Sequence, residues 1–368
     1  MMPIRVLSQE LVVLAEIDDY ESMQFTRRWH KPGEFELHIN VHKNNTDQLQ
    51  KNNLVMLGAE TTKVGIITHR HIALGETGKG QETLTVRGPS LSGITQRRIT
   101  IPPSGQAYDA ITDEAETVLK HYIENNLSSP ADNDRGISML SIDTDQKRGG
   151  TITWQSRYKN LAEELEAISR ASALGWNVFL DLGVPEMVFE VYEGTNRTTE
   201  QSETAPVIMS PKYDAIRTME YAESDVEYRN VGYTAGQGEG DAREVVEVGS
   251  SSGLERREVF FDARDVDNTS DLTARGEQRL AEKATDIYLS GTVLESCPFI
   301  YEEDYDLGDR VTVQNDDWTV TLHTRITEIK EVYEPAGMQL EMVFGSNAPD
   351  LIAKIKNEFK EVEKEVRR

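Results

Sequence analysis

Cysteine is nearly missing from this chain: Cys297 is the only one in 368 residues. An intramolecular disulfide is therefore excluded, and the usage fits folding in a reducing compartment. Cys297 precedes Pro298 in apolar surroundings and reads as a small buried filler, not a nucleophile. No stretch nears the roughly 20 apolar residues that a membrane helix needs. From Met1 to Asp19 one short apolar run is broken by Glu10 and Glu16, so no signal peptide is expected there. Basic residues are few, 39 Lys and Arg against 64 Asp and Glu, for a formal net charge of -25. That balance argues against a chain that grips nucleic acid through its phosphates. It suits a surface that DNA passes without sticking, although acidity by itself speaks only for solubility. HExxH and Cys-His signatures are absent as well. A glycosidase carboxylate pair is not legible in a sequence, because its spacing is spatial.

What is present is an ordinary globular composition, 38% hydrophobic and 28% charged, in a chain long enough for two to four domains. Two stretches of equal length follow one pattern. Leu54 to Gly88 holds a short strand, a strand from Lys63 to Leu74, a Gly-rich turn and an alternating strand that stops at Gly88. Val311 to Gly345 holds a short strand, a strand from Trp318 to Val332, a Pro/Gly turn and an alternating strand that stops at Gly345. Alternation at period two marks half-buried antiparallel strands, so the pattern predicts a small β-barrel built twice.

Along the chain, Ile4 to Leu7 and Leu11 to Ile17 read as strands. Gln24 to Trp29 and Glu34 to Val41 read as a hairpin turned at Lys31-Pro32-Gly33. Helical spacing predicts amphipathic helices over Ala107 to Leu127 and Asn160 to Leu174, the second stopped by Gly175. Short strands are expected at Ile137 to Ile142 and Thr151 to Trp154, and a hairpin at Trp176 to Leu182 and Met187 to Tyr192. Strands resume at Ile216 to Tyr221, Val226 to Thr234, Arg243 to Val248 and Arg256 to Phe261, and a helix is predicted from about Ser270 to Leu289. Near the end, Ile352, Ile355, Phe359, Val362 and Val366 recur at three- and four-residue spacing among Lys and Glu. That is a seam of about two heptads, read as a helix packed on its own subunit or as an oligomerisation or partner-docking handle.

Several motifs invite chemistry and each has a plainer reading. Gly236-Gln237-Gly238-Glu239-Gly240 looks like a phosphate loop, but a strand-like run follows where a helix should, and a hairpin loop is expected. His69 and His71 share one face of a strand and could ligate a metal; His30, His38 and His42 lie in the same region, yet no third ligand is fixed by spacing. Asp304, Asp306 and Asp309 lack the rest of a calcium loop, and Leu307-Gly308-Asp309 reads as a turn into the next strand. No catalytic, cofactor-binding or metal site is expected.

One set of motifs runs through the chain in order: Trp29-His30-Lys31-Pro32-Gly33-Glu34-Phe35-Glu36-Leu37, Gly65-Ile66-Ile67 and Leu84-Thr85-Val86-Arg87-Gly88. It continues with Tyr228-Arg229-Asn230-Val231-Gly232-Tyr233, the Gly236 to Gly240 loop, Phe261-Asp262-Ala263-Arg264-Asp265 and Tyr305 to Val313. Arg325-Ile326-Thr327-Glu328 and Phe344-Gly345 complete the set. In these residues, from about Ile4 to Gly345, the chain resembles siphophage tail-hub (tail-associated, Tal-like) proteins, which are similar to the baseplate hub of contractile phages. It implies an α+β multidomain chain with two tail-tube-like antiparallel β-barrels and an α+β domain between them. The expected boundaries are 1–101 for the first barrel, 102–205 for the α+β domain, and 206–262 with 293–347 for a split second barrel. A helical insertion is expected over 263–292 and a C-terminal helix over 348–368.

The resemblance further implies a non-enzymatic homotrimer at the virion's tail tip, assembled in the host cytoplasm. Its partners would be a distal tail protein, a tape-measure protein and a downstream fibre or tail-tip protein, with genomic DNA passing unbound. Three chains with two barrels each would match a sixfold tube without breaking ring closure. Because the sequence stops at Arg368, lytic or receptor-binding activity is expected on another protein. The alternatives are a cell-wall hydrolase and a module that binds host-surface carbohydrate.

Overall fold

A computed structural model describes residues 2–74, 82–264, 266, 269–281, 283, 285–294 and 296–345. The predicted seam residues Ile352, Ile355, Phe359, Val362 and Val366 lie outside the described residues, as does the Gly-rich turn after Leu74.

The first eight strands are β1 (Ile4–Leu7), β2 (Val13–Ile17), β3 (Ser22–Arg28), β4 (Glu34–Asn40), β5 (Leu54–Leu57), β6 (Val64–Ile66), β7 (His69–Ala73) and β8 (Thr83–Pro89). The hairpin of β3 and β4 follows from its alternation: Phe35, Leu37 and Ile39 are buried while Glu34, Glu36 and His38 face the other way. β1, β2, β5 and β6 make a four-stranded sheet in the order β2-β1-β5-β6.

The next region holds β9 (Asp109–Glu114), α1 (Ala115–Ile123), β10 (Leu140–Ile142), β11 (Thr151–Ser156), α2 (Leu161–Ser172), β12 (Gly175–Asp181) and β13 (Glu186–Tyr192). The helix expected over Ala107 to Leu127 begins late. Its first third is β9, where Ile111 faces Trp154 and Thr112 bonds Thr153 at 2.9 Å, because β-branched side chains suit a pleated pair. α2 is capped by Asn160, whose side chain accepts from the Ala162 amide at 3.0 Å. Ala173, in the left-handed conformation, ends α2, and Gly175 instead opens β12. The apolar faces of α1 and α2 share one core with Leu54, Met56, Val64 and Ile66 of the first sheet. The α+β region is thus packed onto the first strands and has no separate core.

The remaining strands are β14 (Asn196–Arg197), β15 (Ile208–Met209), β16 (Ile216–Ser224), β17 (Val231–Ala235), β18 (Val245–Gly249) and β19 (Glu258–Asp262). After these come α3 (Thr269–Ala281), β20 (Asp286–Val293), β21 (Arg310–Asn315), β22 (Val320–Glu334) and β23 (Gly337–Gly345). Here the expectation differs in two places. The predicted Ser270 to Leu289 helix stops at Ala281, and Ile287 to Leu289 belong to β20. The strands Val226 to Thr234, Arg243 to Val248 and Arg256 to Phe261 do not enter the large sheet. They pair among themselves in the order β18-β17-β19, so the inserted piece is more than a helix.

The described chain divides into two compact units, one within residues 1–219 and 291–344 and the other within residues 220–290. In the second unit α3 lies flat on its sheet. Gly276 permits this, since a Cβ there would meet the Thr234 hydroxyl at 2.3 Å and Val248 methyls at 3.0 Å.

The long sheet runs β16-β20-β23-β22-β3-β4-β8-β7, with β21 branching from β22 and carrying β14 and β15. The two similar stretches of sequence share a pairing order but not a sheet, since β5 and β6 belong to the four-stranded sheet and β21 to the long one. β5 pairs β6 and β7 pairs β8; β21 pairs the first part of β22, and the second part pairs β23. The pair Ile326↔Phe344 stands to Val311 as His69↔Arg87 stands to Leu54. The shorter pairs differ by one position, Leu54 facing Ile66 while Val311 faces Thr324. A register shift between Ile326 and Glu328 frees the Thr327 carbonyl for the Trp29 amide, 3.0 Å away. The two halves meet where β3 pairs β22.

Candidate functional site

The seam between β3 and β22 concentrates the unusual chemistry of the first unit. On its buried side Glu331 is fully enclosed, although alternation puts it on the same face as Ile329 and Tyr333. A lone carboxylate could not remain charged there, so its partners are essential. Lys63, itself 2% exposed, donates to Glu331 Oε2 at 3.0 Å and lies 2.9 Å from Oε1. The Tyr301 hydroxyl donates to Oε1 at 2.7 Å, and the Tyr333 hydroxyl also donates to Glu331. Lys63 reaches Glu302 at 2.8 Å, and Arg27 reaches Tyr301 and Asp306, each at 2.5 Å. Burial alone would lower the Arg27 guanidinium, but Tyr301, Asp306 and Glu331 hold it well above its usual value. Burial, joined by the Glu331 charge, pushes the Tyr301 and Tyr333 phenols up, so both stay protonated donors. Residues from β3, the Lys63 turn, the 301–306 segment and β22 are thereby locked into one network. A cleft of about 800 Å³ opens beside it, lined by Met2, Arg217, Leu294, Tyr301, Tyr333 and Leu340.

On the polar side the charges pair across strands. Arg28 donates to Glu328 at 2.7 Å and to Glu34 at 2.6 Å, Arg87 to Glu36 at 2.8 Å, and Lys330 to Glu341 at 3.3 Å. His38 lies 2.5 Å from Glu36. Each cation of this group is engaged by a carboxylate.

Trp29, just past β3, is the pivot between the sheet and the α+β region. It is fully buried, with Tyr192 edge-on at 4.8 Å and the Arg325 guanidinium 4.8 Å from its ring centroid. Gly308 at φ +92 makes room: a Cβ there would sit 1.8 Å from the ring. Next to it, His30 Nδ1 lies 2.7 Å from Ser169 Oγ, and that hydroxyl already donates to the Leu174 carbonyl. His30 is therefore the donor at Nδ1. Burial, with Arg170, Arg325 and Lys31 nearby, pulls its imidazolium down to about 3, so the ring is neutral. The Trp176 indole donates to the His30 carbonyl at 2.9 Å.

The other residues singled out in the sequence fall into structural roles. Asp309 is buried and accepts from the Thr195 amide at 2.7 Å and from Arg197 at 2.8 Å. Asp306 binds Arg27, while Asp304 accepts from the Ile300 amide at 2.7 Å, so the three aspartates serve different partners. The Gly236 to Gly240 loop joins β17 and β18 and is closed by Arg243, which donates to the Gly236 carbonyl at 2.8 Å. His69 and His71 stand exposed on β7. His42 lies 3.1 Å from Glu82, and Cys297 is half-buried. Among the described residues no group of three or more His, Cys, Asp or Glu is arranged to hold a metal ion, and no helix is long and apolar enough to cross a membrane. Sequence reasoning missed Lys63, Arg27, Tyr301 and Glu331. The available signal was Glu331 interrupting an otherwise apolar alternate position between Ile329 and Tyr333.

Solved structures share this fold. The tail protein from Neisseria meningitidis MC58 is similar over 94% of this chain and 97% of its own, with a TM-score of 0.57 and 14% identity. The 43 kDa tail protein of prophage MuSo2 from Shewanella oneidensis covers 95% and 99%, at 0.58 and 15%. Prophage tail protein gp18 from Listeria monocytogenes EGD-e covers 99% and 100%, at 0.55 and 12%. At such identities the likeness is one of fold. No curated protein sequence matches the chain. Residues 3–346 match the family described as Siphovirus ReqiPepy6 Gp37-like protein, and the chain belongs to that family of phage tail proteins.

Proposed function

We propose that this protein is a structural hub of the tail tip, a homotrimeric ring that closes the end of the sixfold tail tube. The observation that carries the reading is the repeated half-sheet. β3-β4-β8-β7 and β16-β20-β23-β22 occupy successive positions in one long sheet, and β7–β8 and β22–β23 are both antiparallel hairpins. Each half contributes one barrel of the tube-subunit kind, and β22 against β3 is the contact between them. Among the described residues the long sheet then ends at β7 on one side and β16 on the other. Pairing β7 of one copy with β16 of the next repeats the internal contact head to tail, and such heterologous contacts close into a ring when the rotation allows it. Three copies supply six barrels.

In this ring the polar face lines the channel. Because Arg28, Arg87 and Lys330 are held by carboxylates, passing phosphates meet engaged cations, and DNA slides through without being bound. The role is mechanical and not enzymatic. The outer elements provide the platform for the distal tail protein, the tape-measure protein and a downstream fibre, with assembly in the host cytoplasm before incorporation into the virion. A map of purified tails tests this: three copies at the tip support it, whereas six copies, or one, contradict it. A zymogram on host peptidoglycan separates the hydrolase alternative, because clearing by the purified chain would overturn the structural role.

A further inference from the structure

We infer that a basic, aromatic surface on the α+β region, built from Arg97, Arg98, Arg135, Arg157, Tyr108 and Tyr158, docks an acidic segment of a partner polypeptide. The contact is independent of ring closure. Backbone bonds join the pieces of this surface. The Tyr158 amide donates to the Thr100 carbonyl at 2.7 Å, the Thr100 amide to the Lys159 carbonyl at 2.9 Å, and the Leu161 amide to the Arg98 carbonyl at 3.0 Å. The run from Arg98 to Ile101 is thereby laid along the connection between β11 and α2. Arg135 is tied in from a third segment, since its guanidinium donates to the Ile99 carbonyl at 2.6 Å.

In so acidic a chain these cations stand out by what they lack. Arg28, Arg87, Arg148 and Arg197 each hold a carboxylate. Arg97, Arg98, Arg135 and Arg157 hold none among the described residues. Arg98 donates instead to the Arg135 and Arg97 carbonyls, at 3.0 and 3.1 Å. Arg98 and Arg135 thus stay close although they repel. Burial and the Arg98 charge pull the Arg135 guanidinium down, against a smaller opposing effect of Asp132. Like charges held together by backbone carbonyls are arranged to receive an anion. Lys159 is not part of the set, because it pairs with Glu164 at 3.0 Å.

The aromatic part supplies the rest of a protein contact. The Arg157 guanidinium lies 5.1 Å from the Tyr158 ring centroid and 5.9 Å from that of Tyr108, which positions it while leaving N–H groups for a carboxylate. Tyr158 adopts φ +51, a left-handed conformation that is costly for a bulky side chain, yet its ring is 57% exposed. Burial of the ring in the free chain therefore does not offset that strain. Ile99 and Ile101 flank the buried Thr100 and are 44% and 37% exposed, so they add apolar area to the same surface. Tyrosine and arginine around exposed aliphatic side chains are the composition of a protein interface. Nucleic acid would engage the guanidiniums and the rings but leave the isoleucines uncovered. Charge complementarity then defines the occupant as carboxylates flanking an apolar side chain.

Fluorescence anisotropy with the purified full chain tests the assignment. The labelled probes are a Glu- and Asp-rich peptide with a central Leu-Phe pair, the same peptide carrying Gln and Asn instead, and a single-stranded oligodeoxynucleotide. The acidic peptide should bind about tenfold more tightly than its amide version, and should weaken as salt rises. R97Q/R157Q removes two exposed guanidiniums that make no hydrogen bond to the described residues, so the fold is kept while binding should fall about tenfold. Y158A should weaken binding with the salt dependence unchanged. Equal binding of the acidic and amide peptides, or binding unchanged in R97Q/R157Q, overturns the docking surface. An oligonucleotide bound more tightly than the acidic peptide overturns it in favour of nucleic acid, and so does a lack of saturable binding by the acidic peptide in favour of no docking there.

Discussion

Lys63 and Glu331 lie 268 residues apart in the chain and meet at 3.0 Å in the buried seam between the two halves of the sheet. The pair is useful because each end has more than one partner. Lys63 also holds Glu302, and Glu331 takes hydroxyl donors from Tyr301 and Tyr333.

Removing one partner from this network should cost far more than removing both. Lys63→Met leaves a buried carboxylate with two phenols and the Arg27 guanidinium at 3.9 Å, and should cost about 3–5 kcal/mol. The double change Lys63→Met with Glu331→Met should recover most of that loss. Urea unfolding of the three proteins checks it; a single variant within about 1 kcal/mol of wild type would contradict the role given to the network.

The Trp29 pivot makes a separate demand on Gly308. Gly308→Ala places a methyl within the Trp29 ring and forces a left-handed backbone on alanine, so a loss of at least about 2–3 kcal/mol is expected. Trp29→Ala should cost about 3–5 kcal/mol through the cavity it leaves. In the double variant the two losses should not add, because the removed ring is what the added methyl strikes. Thermal or urea unfolding reports all three, and full additivity would argue against direct contact.

His30 provides a pH dependence with a defined sign. Its imidazolium is pulled from the usual 6.5 down to about 3 in the fold, so the unfolded chain binds the proton more tightly. Its stabilising contribution is present in full above about pH 6.5 and is lost as pH falls toward 3, with a slope of up to about 1.4 kcal/mol per pH unit. His30→Gln should flatten stability against pH across that window. An unchanged slope in the variant would remove His30 from the account.

Glu116 should act lower on the same scale. Its burial would raise the carboxyl, but hydrogen bonds from Arg148 and Lys120 bring it down to about 2. A carboxylate depressed in this way stabilises the fold above its ordinary value and loses that contribution as pH falls from about 4.5 to about 2. Glu116→Gln should therefore lower stability at neutral pH and show a weaker acid transition in the same titration. A parallel transition would show that other carboxylates control it.

How much of this was legible depended on whether one local pattern decided the outcome. Phe35-Glu36-Leu37-His38-Ile39 alternates strictly, and β4 formed as that alternation requires. The similarity of Leu54 to Gly88 and Val311 to Gly345 was visible as spacing, and each stretch ends in two strands that pair antiparallel. Ala110 misled because alanine fits either period, and the cross-strand pairs Ile111–Trp154 and Thr112–Thr153 beside it decided for a strand. Ile287 to Leu289 continued a helical spacing that their place in β20 overrides. The ionic seam was illegible for a different reason: Lys63, Tyr301 and Glu331 come from distant segments, and nothing local announces that they meet.

The central claim is that one chain contributes two successive half-sheets to a ring, joined to the next copy through β7 and β16. Cross-linking cysteines placed at Ala73 on β7 and Thr218 on β16, followed by gel analysis of assembled tails, tests it most directly. The account predicts covalent species up to trimer, including a closed form. Cross-links confined to single chains, or their absence from intact tails at every residue of the two strands, would contradict it.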